Sequence, residues 1–256
     1  MINLKELKKY YSNLEGFDRN ILREYLQYKI LYIIFKSKVA NKLSFLDGTA
    51  IKICYGSSRF SEDLDFDNFD LSKNNFNELS LNIKKGLEYE AYEVEVRNVF
   101  KGAFRCYIKI PELLYKNELS NYKEEKIVIQ VDTVSHGFKY KPDNFLLQKF
   151  DVFGNIKLTP ADIILSQKVA AIFGRKRQKG RDYFDLVYLM GITDFNFEYL
   201  DFKFGIKNKK ELKKELLNKV SNFNFEELAK DVMPFLVNPN DQERVLNFKE
   251  YIEQRL

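Results

Sequence analysis

The chain has 256 residues, of which 45% are hydrophobic, and a formal net charge of +5 with a single histidine. This length fits one large domain or two small ones, and the apolar content is sufficient for a buried core. The lone histidine, His136, excludes a histidine-rich zinc site and argues against Ser-His-Asp or Cys-His catalysis. The modest positive charge is compatible with nucleic-acid binding but does not require it.

The sequence shows no pattern typical of export or membrane insertion. Its first residues are too charged for a signal peptide, and the apolar run 30–35 is far too short to span a bilayer. Cys54 and Cys106 have no CxxC spacing and lie among apolar residues, as buried thiols do in a reducing compartment. We therefore expect a soluble cytoplasmic protein that has no membrane partner.

Periodicity divides the first half of the chain into helices and strands. The predicted helices lie at 3–14, 18–40, 48–54 and 70–87, and the predicted strands at 43–46, 63–69, 90–100, 103–110 and 126–134. The second half is predicted to be mainly helical, with a helix at 158–175, another beginning at Gly180, and helices from 195 to the C-terminus. This order predicts an α+β protein with a small mixed sheet followed by a helical half.

The strand at 63–69 carries acidic residues at alternate positions, because Asp63, Asp65 and Asp67 are separated by Leu64 and Phe66. Successive side chains of a strand point to opposite faces, so the apolar pair faces a core and the carboxylates share the other face. Like charges this close repel one another unless a cation neutralises them, and carboxylate oxygens suit a divalent metal. The same alternation is also typical of a solvated outer face, and the residues alone leave both readings open.

A Gly-Thr pair precedes this strand, at Gly48 and Thr49. A glycine before a small hydroxyl residue at the start of a helix lets backbone N–H groups approach a phosphate closely. A phosphate cradle together with metal-binding carboxylates is the minimum equipment for phosphoryl or nucleotidyl transfer.

The second half adds a lysine and a basic loop. Lys168 falls on the apolar face of the helix at 158–175, where a lysine either snorkels to the surface or directs its ammonium into a cleft. The basic loop 175–179 follows, and the next helix begins with Arg181, Asp182 and Asp185. An Arg181–Asp185 ion pair at i, i+4 is the structural alternative for this motif, although it leaves Asp182 unexplained.

The sequence G-T-A, a spacer and D-L-D-F resembles the nucleotidyltransferase motif of the DNA polymerase β superfamily. Together with Y-G, R-F-S-E-D-L-D-F-D, an inward lysine and R-D-x-x-D-L, it resembles the AbiEii-type toxins, which include the MenT toxins. Relatives usually have Gly-Gly-Thr-Ala where this chain has Asp47-Gly48-Thr49-Ala50. The resemblance extends from about residue 43 to the C-terminus.

The resemblance implies a polymerase β-like catalytic domain at 1–140 and a helical domain at 141–256 that completes the active cleft. It implies that Asp63 and Asp65 bind two Mg²⁺ ions together with Asp132, a carboxylate on the strand at 126–134. The residues of that strand alone are equally compatible with an aspartate at a strand end. The resemblance implies these further site residues: catalytic Lys168, Asp182 and Asp185, and substrate-binding Gly48, Thr49, Arg59, Ser61 and Arg181.

The resemblance assigns roles to most of these residues. Gly48 and Thr49 would contact phosphates, Arg59 and Lys168 would stabilise charge on a triphosphate, and Ser61 is close enough to the first aspartate to be modified. Which of the two aspartates of R-D-x-x-D takes part in the chemistry is left open by the motif.

The implied activity is transfer of nucleotides from an NTP to an RNA acceptor, the 3′ end of tRNA, which would arrest growth or abort phage infection. The implied partner is a cognate antitoxin, either AbiEi-like or of the kinase type. The basic loop 175–179 would then contact the acceptor backbone, unless it is only a solvated connection. Two alternatives remain: a nucleotidyltransferase that modifies a protein hydroxyl or a small molecule such as an antibiotic, and a non-catalytic binding module.

Overall fold

A computed structural model describes residues 3–12 and 14–256. Its strands are β1 (Leu43–Leu46), β2 (Leu64–Asn68), β3 (Glu95–Lys101), β4 (Ala103–Ile110), β5 (Ile127–Val134), β6 (Asp143–Lys149) and β7 (Val152–Leu158). Its α-helices are α1 (Leu4–Lys8), α2 (Asp18–Lys36), α3 (Asp47–Tyr55), α4 (Lys73–Tyr89), α5 (Leu113–Lys116), α6 (Ala161–Gly174), α7 (Gly180–Met190), α8 (Phe197–Phe204), α9 (Lys209–Val220), α10 (Phe225–Val232), α11 (Glu243–Leu246) and α12 (Phe248–Arg255). The helix predicted at 3–14 is shorter, and its residue 13 lies outside the described residues.

The chain forms two compact units. The first comprises residues 1–50, 60–137 and 141–159, and the second comprises 51–59, 138–140 and 160–256. In the described residues the first unit contains one mixed sheet of seven strands, in the order β3-β4-β5-β2-β1-β7-β6. The α+β class with a mixed sheet and a helical second half is therefore confirmed.

The centre of the sheet positions the acidic strand. β2 pairs with β1 antiparallel on one side and with β5 parallel on the other. Leu64 and Phe66 are 0% and 1% exposed, so the apolar face of β2 lies in the core as the alternation predicts. Strands that are hydrogen-bonded on both edges hold their side chains in a fixed register, which makes the polar face of β2 a rigid platform.

The long helix α2 packs on β5, β6 and β7 of the sheet and on helix α4. It is buried over most of its circumference, and two of its buried charged residues, Lys29 and Glu24, form ion pairs. Lys29 lies 2.6 Å from Asp151 and 2.9 Å from Glu90, and Glu24 accepts from Lys149 at 2.7 Å. A helix buried in this way must pair its charged groups, because an isolated buried charge is costly.

The hairpin of β6 and β7 belongs to the sheet of the first unit, although the sequence analysis began the helical domain at residue 141. Its turn has Phe150 at φ 58°, a left-handed conformation that is uncommon for a residue with a side chain. The Phe150 ring packs edge-on against Tyr10, Tyr25 and Tyr28 with centroid distances of 4.9–5.3 Å. This packing holds the turn in a conformation that its sequence does not favour.

In the second unit, α6 and α7 pack side by side, and α7 also packs on α10, α11 and α12. The start of α7 comes very close to α10, since a Cβ built on Gly180 would lie 1.8 Å from the carbonyl oxygen of Leu228. Only glycine fits at that point. No helix in the described part of the chain is long and apolar enough to cross a bilayer.

Candidate functional site

The acidic face of β2 divides into two environments. Asp63 and Asp65 are partly exposed, whereas Asp67 is buried at 1% exposure and accepts a hydrogen bond from the backbone N–H of His136 at 3.0 Å. The carboxylates of Asp63 and Asp65 are therefore the pair that a solvent-borne ion can approach. Asp67 instead fixes the chain after β5.

The structure places Asp132 beside this pair. β2 and β5 run parallel with Asp65 and Asp132 as direct partners in the register. Side chains at paired positions of neighbouring strands point to the same face, so Asp132 extends the acidic face across the strand boundary. Asp65 and Asp132 therefore lie side by side on neighbouring strands.

Asp132 is also held by a residue that the sequence analysis did not identify. Arg105 on β4 is its register partner, and the Arg105 Nε lies 2.9 Å from Asp132 Oδ1 and 3.0 Å from Oδ2. Its Nη2 lies 2.9 Å from Oδ2, which also accepts from Gln130 at 3.0 Å. The hydrogen bonds to Asp132 raise the pKa of Arg105. No periodicity signal marks Arg105, because the β4–β5 register decides its partner.

These residues fit a divalent ion in part. Asp63, directly before β2, and Asp65, on β2, offer hard oxygen donors, and Mg²⁺ is commonly held by one or two carboxylates plus substrate phosphates. Asp132 is the exception, since its carboxylate already binds a guanidinium. Among residues 3–12 and 14–256, no group of three or more His, Cys, Asp or Glu side chains is placed to hold a metal ion. Asp63 and Asp65 are therefore the carboxylates of this face that would hold a divalent ion.

The backbone before Asp63 is fixed by two buried side chains. The hydroxyl of Thr49, which is 0% exposed, donates to the carbonyl oxygen of Asp63. Gln27 on α2 donates to the carbonyl oxygens of Ser61 and Glu62 at 3.1 and 2.9 Å. Gln27 was not predicted as a site residue, because nothing in a helical pattern distinguishes a polar residue that reaches a distant loop.

This geometry changes the role expected of the Gly-Thr pair. The Thr49 hydroxyl is engaged by protein and buried, so it does not offer itself to a phosphate. Gly48 lies in the first turn of α3, where backbone N–H groups have no partner within the helix. The phosphate-binding capacity of this turn therefore resides in its main chain. Ser61, partly exposed, lies just before the acidic pair.

The second unit contains a buried cluster of ionic residues. Arg59 is 2% exposed, and its Nε and Nη2 donate to the two carboxylate oxygens of Asp185 at 2.6 and 2.5 Å. Lys168 is 4% exposed and lies 2.8 Å from Asp185 and 3.4 Å from Asp182. Arg175 lies 2.6 Å from Asp182. We call these five residues the ionic cluster. Lys168 does not snorkel to the surface.

The two aspartates of the cluster differ in environment. Burial raises the pKa of the Asp185 carboxyl, but the charges and hydrogen bonds of Arg59 and Lys168 outweigh it and hold that pKa below its usual range. Asp185 is 0% exposed and is surrounded by cations. Asp182 is bridged to Arg175, whose side chain is 43% exposed. Asp182, itself 3% exposed, therefore contacts a partly exposed cation, whereas the cations around Asp185 are buried.

Arg181 and the basic loop 175–179 also belong to the second unit. Arg181 packs its guanidinium over the ring of Phe235 at 4.5 Å, and the carboxylate of Asp185 is engaged by other cations, so the i, i+4 alternative does not explain the motif. In the basic loop, Lys179 lies 4.0 Å from Asp231, and Lys176 and Arg177 are exposed.

Comparisons with known proteins give a consistent result. The family model described as the nucleotidyl transferase AbiEii toxin of type IV toxin–antitoxin systems matches residues 29–252. The structure is similar to that of JHP933 from Helicobacter pylori, with a TM-score of 0.60 and 16% identity over 93% of this chain and 91% of that one. It is also similar to MenT4, a nucleotidyltransferase toxin from Mycobacterium tuberculosis, with a TM-score of 0.61 and 14% identity over 99% and 90%. No curated protein matches the chain.

Proposed function

We propose that this chain, which belongs to the AbiEii nucleotidyltransferase toxin family, transfers nucleotides from an NTP to the 3′ end of tRNA in the cytoplasm. Nucleotides added there would block aminoacylation, which would arrest growth or abort phage infection. The observation that carries the proposal is the acidic platform of the first unit, where the partly exposed Asp63 directly precedes β2, Asp65 lies on β2, and Asp65 pairs in register with Asp132. A type IV toxin–antitoxin family implies an antitoxin partner, either AbiEi-like or of the kinase type.

Asp63 and Asp65 would hold Mg²⁺. When bound, the ion supplies Lewis-acid stabilisation of the triphosphate and lowers the pKa of the attacking hydroxyl. The chain contributes the rest. Thr49 and Gln27 fix the backbone that carries the acidic pair, and the main-chain N–H groups at Gly48 bind phosphate oxygens.

Lys168 supplies positive charge during transfer. The negative charge on the triphosphate grows as pyrophosphate leaves, and a preorganised cation stabilises it without reorganisation of the site. Asp185 orients the Lys168 ammonium and holds Arg59 bidentately, so Arg59 acts through Asp185 rather than by direct contact with phosphate. Asp182, which pairs with Lys168 and with the partly exposed Arg175, would be the aspartate of the motif that contacts a reacting group, and Arg181 would contribute to substrate binding.

The transfer reaction gives a direct test. Purified protein is incubated with total tRNA, Mg²⁺ and each α-labelled NTP in turn, and label is followed on the tRNA 3′ end. Asp63→Ala and Asp65→Ala should abolish labelling while the fold stays intact, because removal of mutual repulsion does not destabilise the apo protein. Near-normal transfer by either variant would show the metal assignment to be wrong. Label on a protein or a small molecule would support the alternative acceptor, and no label on any acceptor would favour a binding module.

The RNA acceptor is supported by the basic loop, in which Lys176 and Arg177 are exposed. If these side chains neutralise phosphates, apparent affinity falls with salt, with a slope of about −0.7 per contact for single strands. Lys176→Gln with Arg177→Gln should therefore weaken tRNA binding and flatten that slope.

The matched control for the loop is Lys210→Gln with Lys214→Gln, which removes the same charge from exposed positions of α9. This control should leave the salt slope as in the unaltered chain. Equal slopes for the loop variant, the control variant and the unaltered chain would identify the loop as a solvated connection. Unchanged NTP binding in the loop variant would confirm that the loss concerns the acceptor.

A further inference from the structure

Arg105 and Asp132 form an ion pair with several hydrogen bonds at the acidic platform. Three donor–acceptor distances between them lie at 2.9–3.0 Å, and they are directly paired across β4 and β5. Gln130, two residues earlier on β5, donates a further hydrogen bond to the same carboxylate. Backbone pairing on both strands holds the two Cα atoms at a fixed separation, so the Arg105 side chain, which is 37% exposed, starts within reach of Asp132, which is 16% exposed.

This contact occupies acceptor positions of the Asp132 carboxylate that a metal ion would need. A carboxylate offers about four acceptor sites, and Asp132 Oδ2 already receives Arg105 Nη2, Arg105 Nε and Gln130 Nε2. Arginine keeps its charge at any working pH, so this neutralisation is permanent as long as the contact persists. A divalent ion at Asp132 would have to displace or lie against a guanidinium, and like charges at that distance repel.

We propose that Arg105 is a resident cation that occupies the third carboxylate of the platform. In the nucleotide-free protein the divalent-ion site then consists of Asp63 and Asp65 alone and holds one ion. Asp132 is a positioning residue for Arg105, and it becomes a ligand only when the guanidinium is removed. The inference rests on the proposed function in one respect, which is that Asp63 and Asp65 bind a divalent ion.

Two consequences distinguish this arrangement from a three-carboxylate site. Asp132→Asn should leave divalent-ion binding nearly unchanged in the full chain, because Asp132 contributes its charge to Arg105. Arg105→Gln should instead create a second ion site, because the freed Asp132 carboxylate lies beside Asp65 in the register. The double variant Arg105→Gln with Asp132→Asn should return the chain to one ion, since no freed carboxylate remains.

The experiment is a Mn²⁺ titration of the full chain at fixed ionic strength without nucleotide, followed by electron paramagnetic resonance of the free ion. We expect one ion for the unaltered chain, one for Asp132→Asn, two for Arg105→Gln and one for the double variant. Asp65→Asn serves as the positive control and should weaken binding on the order of tenfold or more. Two ions in the unaltered chain, or an affinity loss in Asp132→Asn equal to that in Asp65→Asn, would overturn the proposal.

Two of the variants keep the test decisive even if Arg105→Gln does not fold. Arg105→Lys retains a cation with a shorter reach, and it should keep the count at one. If Arg105→Gln fails to fold, Asp132→Asn alone still decides, because the two readings predict opposite effects for it. The proposed function is judged separately by label transfer to tRNA. Transfer that depends on Asp65, combined with ion binding that depends equally on Asp132, would refute the resident cation and leave the function in place.

Discussion

Replacement of Asp185 by asparagine tests whether the ionic cluster holds the second unit together. The carboxylate is 0% exposed and accepts from Arg59 at 2.6 and 2.5 Å and lies 2.8 Å from Lys168. Asp185→Asn keeps the shape but removes the negative charge, so two buried cations would face an amide. The only other carboxylate of the cluster, Asp182, lies 3.4 Å from Lys168 and is bridged to Arg175.

The expected magnitude follows from this geometry. Removal of one partner from a buried ion pair costs about 3–5 kcal/mol, because the other charge stays buried without compensation. For a chain of this size 1 kcal/mol corresponds to about 2–4 °C in melting temperature, so the loss is roughly 6–20 °C. Scanning calorimetry of Asp185→Asn against the unaltered chain at neutral pH measures it.

Asp182→Asn is the matched control. It removes a carboxylate from the same cluster, but Lys168 keeps Asp185 and the 43%-exposed Arg175 can turn to water. Although Asp182 is itself 3% exposed, the cost of Asp182→Asn should therefore be smaller than that of Asp185→Asn, because Lys168 keeps a carboxylate partner. A melting temperature of Asp185→Asn within the range of this control, or an equal loss in both variants, would refute the anchoring role of Asp185.

Three further predictions follow from the same structure. Gly180→Ala should destabilise the chain by about 1–3 kcal/mol in urea unfolding, since its Cβ would meet the Leu228 carbonyl at 1.8 Å, whereas Gly174→Ala, with nothing within 4 Å, should not. Because the folded pKa of Asp185 is lowered, its contribution to stability is present above the unfolded pKa of about 3.9 and is lost as pH falls through the folded value. Unfolding followed from pH 6 to pH 2 should thus show a smaller acid loss in Asp185→Asn, and parallel curves would contradict the assignment. Expression of the chain alone should slow bacterial growth and Lys168→Ala should relieve it, so full toxicity of a well-expressed variant would remove Lys168 from the chemistry.

The acidic strand could be read from the sequence because its signal is local. Leu64 and Phe66 alternate with carboxylates, and a period of two fixes which residues face the core before any partner strand is known. The structure buries that apolar pair and leaves Asp63 and Asp65 partly exposed. What the alternation could not show was the burial of Asp67, since that depends on the chain after β5.

The start of α6 shows how a local signal can mislead. Thr159 and Pro160 predict an N-cap and a first helical residue. In the structure the helix begins at Ala161, with Pro160 in the cap position, and the Thr159 hydroxyl lies 2.9 Å from that of Ser44 on β1. Both hydroxyls are buried, so a tertiary hydrogen bond took precedence over the local one.

The hairpin at 143–158 was not predicted as part of the sheet because its turn lacks the usual residues. Two-residue hairpin turns favour Asn-Gly or Asp-Gly, where positive φ is inexpensive. Here Phe150 takes φ 58°, and the stabilisation comes from rings of α2 and of the segment after α1 that lie far away in the sequence. A turn fixed by tertiary packing gives no signal in a short window of residues.

The same reasoning separates the carboxylates of the site from their partners. Asp63 and Asp65 could be predicted from the alternation of residues in one short segment. Arg105 and Gln27 could not, because Arg105 reaches Asp132 through the β4–β5 register and Gln27 reaches Glu62 from helix α2. From the sequence alone, a charged residue in a strand is expected to lie on the solvent-exposed face. The pairing of β4 with β5 is what brings Arg105 to Asp132. Recognition of a nucleotidyltransferase motif therefore identifies candidate metal ligands, whereas the cation that contacts Asp132 comes from β4 and is brought there by the folded sheet.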